Sequence, residues 1–97
     1  MAVSITSVVR ASRDQLSCDL GGEMAVLNTR SGRYYGLDGA GPRIWGLLQE
    51  PRTVAAIRDA LLGEYEVGAA QCEAELIDLL EKLAEAGMIE VRAEPDR

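Results

Sequence analysis

The spacing of apolar residues changes at Asp38, and this change constrains the fold more than any other feature of the sequence. Before Asp38, short apolar runs are separated by glycine-containing segments such as Gly21-Gly22, which is typical of strands joined by tight turns. After Asp38, apolar residues recur at intervals of three and four, as they do on one face of a helix. Strands followed by helices predict an α+β domain.

The first half predicts a three-stranded antiparallel meander. Its strands are Leu16–Leu20, Glu23–Asn28 and Arg33–Leu37, joined by the Gly21-Gly22 turn and a short glycine-containing loop. Residues 1–15 alternate only weakly, so we expect an N-terminal arm, either loose or forming a short edge strand.

The second half predicts three helices. Asp38 is a plausible N-cap for the first helix, and Pro42 lies in its first turn, where a missing N–H costs least. Pro51 ends this helix, and Thr53 caps the second. The longest helix covers residues 69–86.

Gly87 follows the longest helix, and its backbone freedom favours an abrupt end there. Met88–Val91 is then a candidate for a short final strand, and residues 93–97 are expected to form a flexible tail. The predicted domain covers residues 16–92 and has a winged helix-turn-helix-like arrangement.

Composition narrows the possible functions. The chain has 97 residues, a net charge of −6 and no histidine. The charge disfavours binding to nucleic acid or to an anionic membrane surface. Without histidine there is no Ser–His or Cys–His pair and no imidazole metal ligand, so we expect no enzymatic activity, metal or cofactor. Cys18 and Cys72 are interpreted as free thiols of a cytoplasmic protein, since neither a signal peptide nor a membrane span is recognisable.

The longest helix has a wider apolar face than a buried stripe requires. Beyond the stripe, one flank carries Ala70, Ile77 and Ala84 between Glu73 and Glu81. A flank of small apolar residues beside a sheet edge could receive side chains from an added strand. The alternative is that a neighbouring helix or the N-terminal arm covers this flank. Helical periodicity favours the alternative.

A resemblance to a known family resolves this choice in favour of the added strand. The run GGEMAVLNTRSGRYYGLDGAGPRIWGLLQEPRTVAAIRDAL and the later ELIDLLEKLAEAGMIEV resemble the PqqD-like family, the leader-peptide recognition elements of pathways that modify ribosomally made peptides (RiPPs). The segment LNTRSGRYYGLDG is most similar to the stand-alone form of lasso-peptide biosynthesis. The resemblance covers roughly residues 16–92.

The resemblance implies that a precursor leader peptide adds as an antiparallel strand to the third strand of the meander. Carried onto this sequence, the peptide-binding edge is Arg33, Tyr34, Tyr35, Gly36 and Leu37. The groove wall on the longest helix is Glu73, Ile77, Leu80, Glu81 and Ala84. The implied partners are a leader peptidase of transglutaminase-like fold and an ATP-dependent macrocyclase.

Two other functions are compatible with the fold class. The first is a winged-helix DNA-binding module, but its recognition helix, residues 69–86, carries five carboxylates against one lysine, which phosphates would repel. The second is an adaptor that binds a protein partner other than a leader. Salt-dependent retention on duplex DNA would distinguish a DNA-binding module from a leader-binding protein. Titration with a leader peptide would distinguish a leader-binding protein from an adaptor for another protein.

Overall fold

The computed structural model describes residues 3–92, so the flexible tail predicted for residues 93–97 lies outside the described residues. The strands are β1 (Val8–Ala11), β2 (Gln15–Asp19), β3 (Met24–Asn28), β4 (Tyr34–Leu37), β5 (Arg52–Thr53) and β6 (Ile89–Arg92). The helices are α1 (Gly41–Leu47), α2 (Val54–Glu64) and α3 (Ala69–Glu85). No helix within residues 3–92 is long and apolar enough to cross a membrane.

The predicted meander is confirmed as the antiparallel sheet β2-β3-β4. Gly21 and Gly22 turn the chain between β2 and β3 with φ of 78° and 100°, values that L side chains rarely adopt. Leu16 pairs with Leu27, and Leu27 pairs with Tyr34. These three residues form a row across the strands in which Leu16 is 62% exposed, Leu27 38% and Tyr34 73%, so the row lies on the outer face of the sheet.

The N-terminal segment differs from its prediction as a loose arm or edge strand. It contributes β1, which is the middle strand of a second antiparallel sheet of order β5-β1-β6. Val9 is completely buried there and pairs with Arg52 on one side and Val91 on the other. The prediction was wrong because the partners of Val9 lie 43 and 82 residues further along the chain, which local spacing does not show.

The N-terminal segment also caps α2. The backbone N–H groups of Val54 and Ala55 donate to the carbonyls of Ser7 and Ile5, at 3.0 Å each. Backbone N–H groups at the start of a helix have no partner within the helix, so these carbonyls supply what the helix lacks. The segment before β1 is therefore part of the folded unit.

The starts of the helices agree partly with the sequence. Thr53 caps α2 as predicted, because its Oγ1 accepts from the Ala56 N–H at 3.1 Å. Pro42 lies in the first turn of α1, also as predicted. The prediction of Asp38 as N-cap is wrong: α1 begins at Gly41, and only the Asp38 carbonyl participates, accepting from the Gly41 N–H at 2.8 Å.

Gly87 ends α3 as predicted. Its φ is +76°, and its N–H donates to the Ala84 carbonyl at 3.1 Å. The Met88 N–H donates to the Leu83 carbonyl at 2.9 Å, which completes a Schellman motif and sends the chain into β6.

One apolar core joins the two sheets and the helices, and aliphatic side chains build it because the chain has no phenylalanine. Trp45 is 2% exposed within this core. The largest completely buried side chains are Leu48, Ile57, Leu80, Leu83, Met88, Val9, Val26 and Val54.

Candidate peptide-binding site

A cavity of about 490 Å³ lies between β4 and α3. From the sheet it is lined by Tyr35, Gly36 and Leu37, which are the last three residues of β4. The remaining lining residues come from α1, α2, α3 and the segments around them: Asp38, Ala40, Gly41, Ile44, Leu61, Tyr65, Glu66, Val67, Cys72, Glu75, Leu76 and Leu79. A mostly apolar cavity of this size beside a strand is a natural place for a ligand.

The edge of β4 along this cavity has no strand beside it in the described chain, because β4 is the outer strand of its sheet. The Asn28 N–H donates to the Arg33 carbonyl at 2.8 Å, which fixes the alternation of the antiparallel pairing with β3. Tyr35 and Leu37 therefore direct their backbone groups towards β3, and Tyr34 and Gly36 direct theirs outward. The edge offers one N–H and one C=O from each of these two residues.

Side chains of β4 alternate between the two faces of the sheet. Leu37 is buried and Tyr35 is half-buried, and both line the cavity. Tyr34 lies on the outer face of the sheet. Arg33 precedes the strand, and its Nη1 donates to the carbonyl of Glu85 at 3.2 Å, near the end of α3. Of the five residues predicted for the peptide-binding edge, the structure thus places three in the cavity lining and two outside it.

The structure does not bring the predicted residues of α3 to this cavity. Leu80 is completely buried in the core, and none of Glu73, Ile77, Glu81 and Ala84 lines the cavity. By helical spacing these four residues lie on the flank of α3 opposite to the cavity-lining residues. They therefore lie away from the cavity beside β4, and their contact with a leader stays a prediction.

Two polar contacts identify what covers that flank. Glu73 Oε1 accepts from Arg58 Nη1 of α2 at 2.9 Å. Glu81 Oε2 accepts from the backbone N–H of Val3 at 3.3 Å, and Val3 is itself buried. The neighbouring helix and the N-terminal arm, which periodicity alone favoured, cover this side of α3.

The cavity side of α3 presents Cys72, Glu75, Leu76 and Leu79. Helical spacing predicts burial for three of them, Cys72, Leu76 and Leu79, because they belong to the apolar stripe of this helix. Periodicity could not show that Leu79 lies at the margin of this stripe, half-buried and facing a cavity rather than a neighbouring element. The residues between α2 and α3 contribute as well, since Tyr65, Glu66 and Val67 line the cavity.

Two ionisable features adjoin the cavity. Burial raises the pKa of the Cys72 thiol above its ordinary value, and the nearby Glu75 carboxylate raises it further. At the cavity margin, Arg43 binds Glu64 through three contacts of 2.8–3.1 Å, which lowers the pKa of the Glu64 carboxyl. This ion pair links α1 to the end of α2, just before the cavity-lining segment Tyr65–Val67.

Comparison with known proteins identifies the family. A family model described as Coenzyme PQQ synthesis protein D (PqqD) matches residues 23–89. The chain belongs to the PqqD family. The matched range contains β4, α3 and every residue that lines the cavity. No curated protein sequence gives a significant match.

Two solved structures resemble this PqqD-family chain over most of its length. One is described as TbiB1 in complex with the TbiA(beta) leader peptide; it has a TM-score of 0.76 and 36% identity, covering 84% of this chain and 94% of that one. The other is described as lasso peptide synthetase B1 complexed with the leader peptide; it has a TM-score of 0.73 and 27% identity, covering 84% and 96%. Both support the winged helix-turn-helix-like α+β fold predicted from the sequence.

Asn28 fixes the position of the β3–β4 hairpin relative to α3 in this member of the PqqD family. Its Nδ2 donates to the Gly87 carbonyl at 2.8 Å, and its Oδ1 accepts from the N–H groups of Arg30 and Ser31 at 2.9 and 3.0 Å. The side chain is buried, and both its amide nitrogen and its amide oxygen form hydrogen bonds. One amide thus joins the hairpin loop to the C-terminal end of α3.

Proposed function

We propose that this chain binds the leader segment of a ribosomally made precursor peptide and presents it to modifying enzymes in lasso-peptide biosynthesis. The observation that carries the proposal is the apolar cavity that runs along the open edge of β4. Such an edge can accept an extended peptide as a further strand, while the cavity receives every second side chain. The two similar structures, both described as leader-peptide complexes, support the same function.

The backbone of the peptide contributes only part of the affinity. Tyr34 and Gly36 can form up to four hydrogen bonds with an added strand, one for each outward N–H and C=O. At about 0.5–1.5 kcal/mol net per bond, these contribute about 2–6 kcal/mol. Ordering a flexible leader costs about 2–5 kcal/mol, which nearly cancels this gain. Apolar side chains in the cavity must therefore decide affinity, at about 1.5–3 kcal/mol for each well-buried one.

The proposed binding residues follow from this division of roles. On the sheet side they are the five predicted residues Arg33, Tyr34, Tyr35, Gly36 and Leu37, with hydrogen bonding assigned to Tyr34 and Gly36. On the helix side the proposal replaces the predicted residues with those that line the cavity: Cys72, Glu75, Leu76 and Leu79.

In this proposal the chain carries out no chemical step, and the bound leader is handed to a leader peptidase of transglutaminase-like fold and an ATP-dependent macrocyclase. The outer-face row of Leu16, Leu27 and Tyr34 gives these enzymes an exposed apolar surface beside the added strand. We place the complex in the cytoplasm, in keeping with two cysteines that form no disulfide.

Replacing Gly36 with proline tests strand addition directly. Proline removes the outward N–H and puts its ring where the added strand would lie, but it removes no bond to β3. We expect the dissociation constant for the leader to rise about 10- to 100-fold, from the lost hydrogen bond and the blocked approach. The measurement is fluorescence anisotropy with the labelled leader of the precursor encoded beside this gene.

Gly36→Ala is the matched control for this experiment. A Cβ at this position would meet no heavy atom of the described part of the chain within 4 Å, and the N–H is kept, so both fold and affinity should be preserved. If the proline variant folds and binds the leader as tightly as the alanine variant, the peptide does not add to β4.

A further inference from the structure

We infer that carboxylates at one end of the cavity select leaders that carry lysine or arginine on the N-terminal side of their apolar anchor residues. The inference rests on the proposed function and adds a rule of charge and direction to it. Asp38, Glu66 and Glu75 line the cavity, and all three are exposed. They come from three separate elements but meet at the same cavity.

None of these three carboxylates forms a salt bridge within residues 3–92. Glu75 accepts a hydrogen bond from the neutral amide of Gln71, at 3.1 Å. Arg43 is a nearby cation, but it is bound to Glu64. A cationic side chain of a bound peptide would therefore meet uncompensated negative charge at this end.

The opposite end of the cavity differs in charge. Neither cation near this end lines the cavity: Arg33 directly precedes β4 and donates to the Glu85 carbonyl, and Lys82 of α3 pairs with Asp78 at 3.0 Å. Asp78 thus offsets the positive charge of Lys82. With Arg33 beside it, this end has no excess of carboxylates like that at the acidic end of the cavity. The cavity therefore has one acidic end and one end of nearly balanced charge.

Because the direction of β4 sets the direction of an antiparallel peptide, the difference in charge between the two ends predicts where basic residues lie in the leader sequence. β4 runs from Tyr34 to Leu37, and Asp38 follows it directly, so the acidic end lies at the C-terminal end of the strand. A peptide that pairs antiparallel to β4 begins at that end. Its basic residues must then precede the apolar residues that enter the cavity.

The expected effect is moderate, because the carboxylates are exposed to solvent. One exposed ion pair changes a dissociation constant by about 1.5- to 5-fold. With three carboxylates near one another, we expect a preference of about 3- to 10-fold at low ionic strength. Salt should reduce this preference, because exposed charges are screened over about 10 Å at 0.1 M.

The experiment uses two unlabelled peptides of identical composition as competitors against the labelled native leader. Both keep the apolar core of the leader; one carries Lys-Lys before the core and Glu-Glu after it, and the other has these pairs exchanged. The proteins are the wild type, the double variant Glu66→Gln/Glu75→Gln, and Glu90→Gln as a control. Glu90 is an exposed carboxylate on β6 that does not line this cavity.

The inference predicts that the wild type and Glu90→Gln prefer the peptide with lysines first, and that the double variant largely loses this preference. Equal binding of the two peptides to the wild type would overturn the inference and leave the proposed function standing. A preference for lysines last would overturn it as well, because it requires the opposite charge polarity or a parallel strand. Failure of the native leader to bind the folded wild type would refute the proposed function, and this inference with it.

Discussion

Replacing Leu79 with aspartate should remove most of the leader affinity, whereas the same change at Ile77 should leave it nearly intact. The two residues are a matched pair: both are aliphatic, both lie on α3, and both are half-buried against the core. They differ in the flank that they occupy. Leu79 lines the cavity beside β4, and Ile77 does not.

The magnitudes follow from burial. In the free protein each change loses roughly half of the burial of one aliphatic side chain, or about 1–1.5 kcal/mol of stability. For a domain of this size that lowers Tm by about 4–12 °C, and it does so for both variants. In the proposed complex Leu79→Asp loses about 1 kcal/mol of apolar contact and puts a carboxylate under the peptide, at about 1–3 kcal/mol more. The dissociation constant should rise about 30- to 700-fold.

Anisotropy titration with the labelled leader, run beside circular-dichroism melts, measures both quantities. The expected result is a similar fall in Tm for the two variants and a loss of affinity for Leu79→Asp alone. If Ile77→Asp loses affinity and Leu79→Asp does not, the peptide lies on the flank that was predicted from the sequence, and the assignment of the cavity is refuted. Equal losses would mean that affinity reports stability rather than contact.

Three further outcomes test the fold and the cavity. Trp45→Ala should cost about 3–5 kcal/mol in denaturant unfolding. Trp45→Phe should cost much less, because the buried Nε1 has no hydrogen-bond partner among residues 3–92; similar costs for the two variants would contradict this. Gly87→Ala should lower the free energy of unfolding by about 1–3 kcal/mol and weaken leader binding, because φ is +76° and the new Cβ would lie 2.6 Å from Asn28 Nδ2. An unchanged melting temperature would show that the β3–β4 hairpin can shift to accept the new Cβ. Alkylation of Cys72 should be slow at pH 7, since burial raises its pKa, and saturating leader should slow it further; unchanged rates on adding leader would place the peptide away from α3.

The meander and the helix ends could be predicted because the signals for them are local. Gly21 and Gly22 mark one turn by their conformational freedom, and Thr53 marks the start of α2 by a hydrogen bond only three residues away. Gly87 marks the end of α3 for the same reason as the turn glycines. In each case the interaction that fixes the structure lies within a few residues of the one that predicts it.

The middle strand β1 and the binding flank of α3 could not be predicted, because distant contacts decide them. Val9 belongs to a strand only because Val91 and Arg52 lie on either side of it. A helical wheel shows that α3 has two flanks beyond its buried stripe, but not which of them is covered. The contacts of Glu81 with Val3 and of Glu73 with Arg58 answer that question, and each joins α3 to a different element.

The central position of β1 has a consequence for the order in which the protein folds. On the ribosome β1 emerges before every other described element, yet Val8 pairs with Arg92 of β6, the last of them. The meander and the helices are built from nearby residues and can form as they emerge, but the second sheet has to wait for β6. Until then Val9 has no partner strand on that side, and closing so long a loop is slow. A chain that lacks residues 1–15 would therefore form the meander in the usual way, but it would lack β1 and the Ile5 and Ser7 carbonyls that cap α2.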